Sequence, residues 1–168
     1  MKILNVHQRV IDVPAREVGC LLDTLASADD RMWPHERWPA LTASAPLQVG
    51  AIVDRAGLGT DTVAQYAPGS HIRFVYGKKH RSYHEFTVTE VSVEKCLLTH
   101  TLNAQPSIAR WCLWSIGIRL LHDALMDDLL DKVESQLVAG GRQRAWSLTV
   151  RFLRRVARVE PATSHQST

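Results

Sequence analysis

The apolar positions of this chain follow two periods, and the change between them falls near Ala104. From Pro106 to about Leu137, Trp111, Trp114, Ile118, Leu121, Leu125, Leu129, Val133 and Leu137 recur in steps of three or four. A period near 3.6 puts them on one stripe of a helix. At 1.5 Å per residue that helix is a rod of roughly 45–50 Å. Asp123, Asp127, Asp131 and Glu134 fall on a second line, which reads as a solvated face. Pro106-Ser107 suits the start of the helix and Gly140-Gly141 its end. Gly117 costs about 1 kcal/mol against alanine inside a helix, so it marks close packing or a bend.

Between Leu41 and Ala104 the period is two. Strands are predicted over 41–44, 50–56, 61–66, 71–76, 81–91 and 95–103. Turn chemistry separates them at Gly57-Leu58-Gly59, Pro68-Gly69 and Gly77-Lys78-Lys79. Short connections predict an antiparallel meander. Ile3–Val13 adds a first strand with one polar face, for about seven strands in all. Pro14 opens a helix that buries Val18, Leu21, Leu22 and Leu25. A second short helix or turn follows, carrying the two Trp-Pro pairs of Trp33-Pro34-His35-Glu36-Arg37-Trp38-Pro39. Those tryptophans read either as core aromatics or as the rim of a ligand pocket.

Alternation also assigns faces. Ile72, Phe74 and Tyr76 share one, His84, Phe86 and Val88 another, and Leu98, His100 and Leu102 a third. A hairpin turn near Val93 pairs Phe86 with His100 and His84 with Leu102. A one-residue slip would separate the apolar sides. In this register His84 and His100 are diagonal neighbours within reach of a shared ligand or water. Tyr83, Glu85, Thr87, Thr89, Thr99 and Thr101 face outward.

Composition changes this picture little. With 168 residues, 45% hydrophobic and 22% charged, the chain has the make-up of one ordinary globular unit. It has no apolar run of membrane-spanning length and no signal-peptide pattern at its start. Cys20, Cys96 and Cys112 are odd in number and widely spaced, which fits reduced thiols and a cytoplasmic setting. Charge is more informative. From Gly140 onward six arginines face one acid, leaving the rest of the chain at −2. The predicted division is therefore a body over 1–139 and a basic amphipathic helix with a disordered tail over 140–168. On that helix Trp146, Leu148, Phe152, Val156 and Val159 form one side, and Arg151, Arg154, Arg155 and Arg158 the other. It reads as a surface helix docked by its apolar side, or as a contact for an anionic membrane. Nucleic acid is disfavoured, because few aromatic or groove-reading groups accompany the arginines.

The element order resembles the helix-grip fold of the START, polyketide cyclase and birch-pollen-allergen (SRPBCC) superfamily. The resemblance rests on the opening strand running into Asp12-Val13-Pro14-Ala15-Arg16-Glu17-Val18, on the turn Tyr66-Ala67-Pro68-Gly69-Ser70-His71-Ile72-Arg73-Phe74, and on His122-Asp123-Ala124-Leu125 to Leu130. It spans roughly residues 3–138. It implies an α+β fold, a seven-stranded curved antiparallel sheet around a long C-terminal helix, with two short helices after the first strand. It also implies a cavity between helix and sheet for lipids, polyketides or other apolar small molecules. Some members of the superfamily are cyclases or dehydratases, and many only bind.

The lining expected for such a cavity is Phe74, Tyr76, His84, Phe86, His100, Leu102, Trp114, Ile118 and Leu121, with Trp33 and Trp38 at its rim. His84 and His100 are the candidates for hydrogen bonding to a ligand carbonyl or hydroxyl, or for moving a proton. If the chain is an enzyme, it resembles a polyketide cyclase or dehydratase using these histidines. No metal is expected, because His80 and His84 find no third ligand at metal-site spacing. No Gly-rich phosphate loop or paired nucleophile is legible, so no cofactor is expected. The expected partner is a hydrophobic small molecule. An anionic membrane met through the tail and a homodimer are both left open.

Overall fold

The computed structural model describes residues 1–56, 58–76, 82–140 and 143–161. The strands are β1 (Ile3–Ile11), β2 (Thr42–Ala43), β3 (Ile52–Asp54), β4 (Thr60–Ala67), β5 (His71–Tyr76), β6 (Ser82–Ser92) and β7 (Lys95–Ala104). They form one antiparallel sheet in the order β1-β7-β6-β5-β4-β3-β2, so the first strand closes against the last. Register shifts at Val63/Gln65 and Glu90/Ser92 bend the strands and help curl the sheet. The β6–β7 register is the predicted one, with Phe86 opposite His100 and His84 opposite Leu102. Gly77-Lys78-Lys79, His80, Gly57 and Gly141 lie outside the described residues, as does the tail from residue 162.

Helix α1 (Ala15–Leu22) follows β1 and buries Val18, Leu21 and Leu22. Its Gly19 is required by contact: a Cβ there would lie 2.3 Å from the Gly69 carbonyl oxygen, and Gly69 itself has φ +72°. The tight β4–β5 turn thus sits directly on α1. Asp23 fixes it there by accepting from the Tyr66 hydroxyl at 2.9 Å and the Gly69 amide at 2.8 Å. The segment after α1 is a set of turns and not a second short helix. Asp30 Oδ1 accepts from the amides of Met32 and Trp33, both at 2.8 Å. Pro34 and Pro39 then supply no amide hydrogens with which a helix could continue.

The long helix is present but interrupted. Helix α2 (Ile108–Leu113) passes through a π-helical turn (Trp114–Ile118) into α3 (Arg119–Leu137). The C-terminal half is sealed onto the sheet: Met126, Leu129, Leu130 and Val133 join Ile72, Phe74, Phe86 and Leu98 in the main core. The N-terminal half is not, for α2 and the π turn contain no buried residue. Beneath it a smaller cluster of Ile3, Leu102 and Ala104 packs with Tyr76, Trp111 and Trp114. Gly117 falls inside the π turn. A Cβ there would meet only Leu153 at 3.7 Å, so it marks the irregular turn and not a close approach.

Two expectations about charge are overturned. The helix carboxylates are not a solvated face. Asp131 is buried against Arg9 Nη2 at 3.0 Å, Glu134 pairs with Arg9 Nη1, and Asp123 accepts from Asn5 Nδ2 at 2.9 Å. The cause lies on β1, which turns Asn5, His7 and Arg9 inward and leaves Leu4, Val6 and Val10 exposed. A polar strand face needs polar partners, and the helix supplies them.

Helix α4 (Leu148–Val156), capped by Ser147 Oγ, is also turned the other way. It buries Val150 and Arg154 while Leu148, Phe152 and Val156 stay exposed, so it is not docked by its predicted apolar side. The Arg154 guanidinium lies 4.2 Å from the Trp38 ring centroid and 3.9 Å from that of Trp146, and Arg37 lies 4.0 Å from Trp146. Asp128, only 1% exposed, accepts from Trp38 Nε1 at 2.7 Å and Trp146 Nε1 at 2.8 Å, and pairs with Arg37 at 2.8 Å. Trp33 donates to the Pro39 carbonyl at 2.8 Å. Trp38 therefore clamps the C-terminal segment to the body, while Trp33 packs in the main core. Among the described residues no helix is long and apolar enough to cross a membrane.

Candidate functional site

Where the two halves of the long helix meet, the sheet presents a column of rings. Adjacent strands bring His7 opposite His100 and His100 opposite Phe86, with Phe74 opposite His84 in the neighbouring row. The period of two sends all five side chains toward the helix. His84 stacks on Phe74 with centroids 4.9 Å apart and lies 5.9 Å from His100. His100 lies 4.7 Å from Phe86 and 5.2 Å from His122 of α3. His122 in turn lies 5.7 Å from His7 and 5.4 Å from Trp114. Four histidines thus line up between the main core and the smaller cluster.

Each end of the column is held by a carboxylate. His84 Nε2 donates to Asp61 Oδ2 at 2.8 Å, and Asp61, buried at the β3–β4 edge, also lies 3.2 Å from Arg55 Nε. At the other end His7 Nε2 is 3.1 Å from Asp123 Oδ1 and 2.8 Å from Asn5 Oδ1. The two central rings differ. Nδ1 of His100 and Nδ1 of His122 are buried without a hydrogen-bond partner. Burial, reinforced by the neighbouring histidines, holds the His100 imidazole well below its ordinary pKa. Burial, with His7 adding to it, brings His122 down to about 3. Both are neutral at physiological pH, and each neutral ring has one donor and one acceptor nitrogen. Burial likewise pushes the Tyr76 phenol up to about 12, keeping it a donor. The column can bind a carbonyl or hydroxyl, and Asp61 fixes the His84 ring through its Nε2.

Of the predicted lining, the structure brings together Phe74, Tyr76, His84, Phe86, His100, Leu102 and Trp114. Leu121 is half-buried, Ile118 is 41% exposed, Trp33 is a core aromatic, and Trp38 belongs to the clamp. Two grooves lie away from the helix–sheet junction. One groove of about 400 Å³ is lined by Trp146 and the arginines of α4. Another of about 320 Å³ lies between the end of α1 and the segment 43–47. Phe86 and His100 instead fill the helix–sheet junction. Sequence reasoning missed His7, His122 and Asp123, of which one ligand atom each lies within 4.8 Å of the others. The available signal was the inward polar run Asn5-His7-Arg9, which demands polar residues opposite it.

Comparison with solved structures agrees with this architecture. The fold is the helix grip. A conserved protein of unknown function from Enterococcus faecalis superposes with a TM-score of 0.62 over 95% of this chain and 87% of its own, at 12% identity. Norcoclaurine synthase from Thalictrum flavum, as a point mutant with a transition-state analogue, gives 0.58 over 81% and 94%, at 10% identity. CalU16 from Micromonospora echinospora gives 0.57 over 93% and 91%, at 12% identity. No family model and no curated protein matches the sequence. At these identities the helix-grip likeness extends to fold alone, and the chemistry is read from the site.

Proposed function

We propose that this helix-grip protein binds a small molecule with an apolar body and a carbonyl or hydroxyl group at the histidine column. The observation that carries the reading is the pair of buried, unpartnered Nδ1 atoms of His100 and His122. An unsatisfied buried polar atom costs about 1–3 kcal/mol, and a ligand group bonded to it recovers that cost. The junction is filled, so access comes from the N-terminal half of the helix. That half buries no residue of its own and joins α3 through the π turn, a common site of local helix rearrangement. Trp111, Trp114 and Tyr76 are the apolar surface it would uncover. The rings of Phe74, Phe86 and Trp114 beside the histidines favour an aromatic or polyketide-like ligand over a fully saturated lipid.

The test is native mass spectrometry of the freshly purified chain. The expected result is an adduct of small-molecule mass, lost in the His100→Leu/His122→Leu double variant that still folds. Absence of any adduct, together with no thermal stabilisation by hydroxybenzaldehyde, longer aromatic ketones or fatty acids, contradicts the reading.

A second reading rests on α4. Leu148, Phe152 and Val156 are exposed beside the exposed Arg151, Arg155 and Arg158, an arrangement suited to an anionic lipid surface. Arg154 drops out of this contact because the tryptophan clamp uses it.

A further inference from the structure

We infer that His7, His122 and Asp123 form a binding site for a divalent first-row transition-metal ion, with Zn2+ the preferred probe. The ligand atoms of the three lie within 4.8 Å of one another, and His7 Nε2 is already 3.1 Å from Asp123 Oδ1. Bonds of about 2.0–2.2 Å to nitrogen and oxygen imply donor separations of roughly 3.4 Å around a tetrahedral ion. One pair is at that separation, and small side-chain rotations bring in the third.

The frame is rigid. Strand β1 is paired along its whole length with β7, and α3 is pinned to β1 by Arg9 on Asp131 and Glu134. Surrounding groups aim the carboxylate: Asn5 Nδ2 donates to Asp123 Oδ1 at 2.9 Å, and Arg119 Nε lies 3.6 Å from Oδ2. Outer partners of this kind orient the ligands of known metal sites.

A purely structural hydrogen-bond cluster accounts for only part of this. Asn5, His7 and Asp123 satisfy one another, but His122 is left with a buried nitrogen that nothing in the cluster satisfies. Two imidazoles with one carboxylate favour Zn2+, Fe2+, Co2+ or Mn2+ over Ca2+ and Mg2+, which take oxygen ligands. Three protein donors also leave coordination positions open, and the His100 ring lies 5.2 Å from that of His122, centroid to centroid. An ion here would put a Lewis-acidic centre at the helix end of the column, where a carbonyl or hydroxyl could reach it. The site shares His122 with the proposed small-molecule site and stands whether or not an organic ligand binds.

The test uses the full chain, stripped with EDTA and titrated with Zn2+ alone. The expected result is one ion per chain after dialysis by elemental analysis. Co2+ substitution should give a visible d–d spectrum of low coordination number. His7→Gln and Asp123→Asn should each weaken Zn2+ binding by about tenfold or more. His35→Gln, at a half-buried turn position outside the cluster, should leave binding unchanged. Substoichiometric retention, an octahedral Co2+ spectrum, or equal affinity in wild type, His7→Gln and Asp123→Asn would overturn the inference. The Co2+ spectrum of the wild-type chain reads the site even if a variant fails to fold.

Discussion

At the scale of single residues, Asp128 and the two central histidines bear the most on stability. Asp128 satisfies two indole N–H groups and the Arg37 guanidinium from one buried carboxylate. Removing one partner of such a group strands the others, so Asp128→Ala should cost about 3–5 kcal/mol in urea unfolding. A loss below about 1 kcal/mol would show that the clamp is incidental. His100 and His122 set the acid response. Both are held neutral in the folded chain below the ordinary histidine pKa of 6.5, His122 down to about 3. The unfolded chain takes up these protons first. Stability should therefore be full above about pH 6.5 and fall as pH drops below it, by at most about 1.4 kcal/mol per pH unit for His122 on the way toward 3, with His100 acting in the same direction. The fall should largely disappear in a His100→Leu/His122→Leu variant that remains folded.

At the scale of elements, period alone made some features readable and hid others. The β6–β7 pairing was legible because His84, Phe86 and Val88 alternate against Leu98, His100 and Leu102, leaving one register that buries both sets. The long helix was legible from its stripe, but its π turn was not, since Trp114–Ile118 carries no residue that announces one. Strand β1 showed one polar face, but its direction was not legible: Asn5, His7 and Arg9 turn inward because the long helix meets them there. Arg154 was placed with the polar side of α4, and Trp38, far away in the chain, buries it together with the nearby Trp146. In both cases the deciding partner is distant in sequence, and no local period encodes it. Two glycines separate packing from conformation at this scale. Gly19→Ala drives a methyl into the Gly69 backbone and should destabilise by about 1–3 kcal/mol. Gly117→Ala meets only an ordinary van der Waals contact with Leu153 at 3.7 Å and should stabilise by up to about 1 kcal/mol. Thermal unfolding of the two variants checks the opposite signs.

At the scale of the molecule, the sheet and the sealed half of the long helix act as a fixed base. The exposed half and α4 each carry exposed apolar surface. Ile108, Leu113 and Ile116 on the one, and Leu148, Phe152 and Val156 on the other, leave large apolar side chains open to solvent. If α4 meets lipid, the full chain should sediment with phosphatidylglycerol vesicles, and Phe152→Asp should abolish this without changing the fold. Equal sedimentation of the two proteins would remove the membrane reading. The histidine column belongs to the boundary between fixed and uncovered parts, where a ligand can be admitted without dismantling the core. The most direct measurement of that claim is the long-range 1H–15N spectrum of the histidine rings, recorded on the chain as purified and after its small molecules are stripped by hydrophobic exchange. The account predicts that the Nδ1 resonances of His100 and His122 move, while His35 and His71 stay in place. Shifts confined to His35 and His71, or identical spectra before and after stripping, would contradict it.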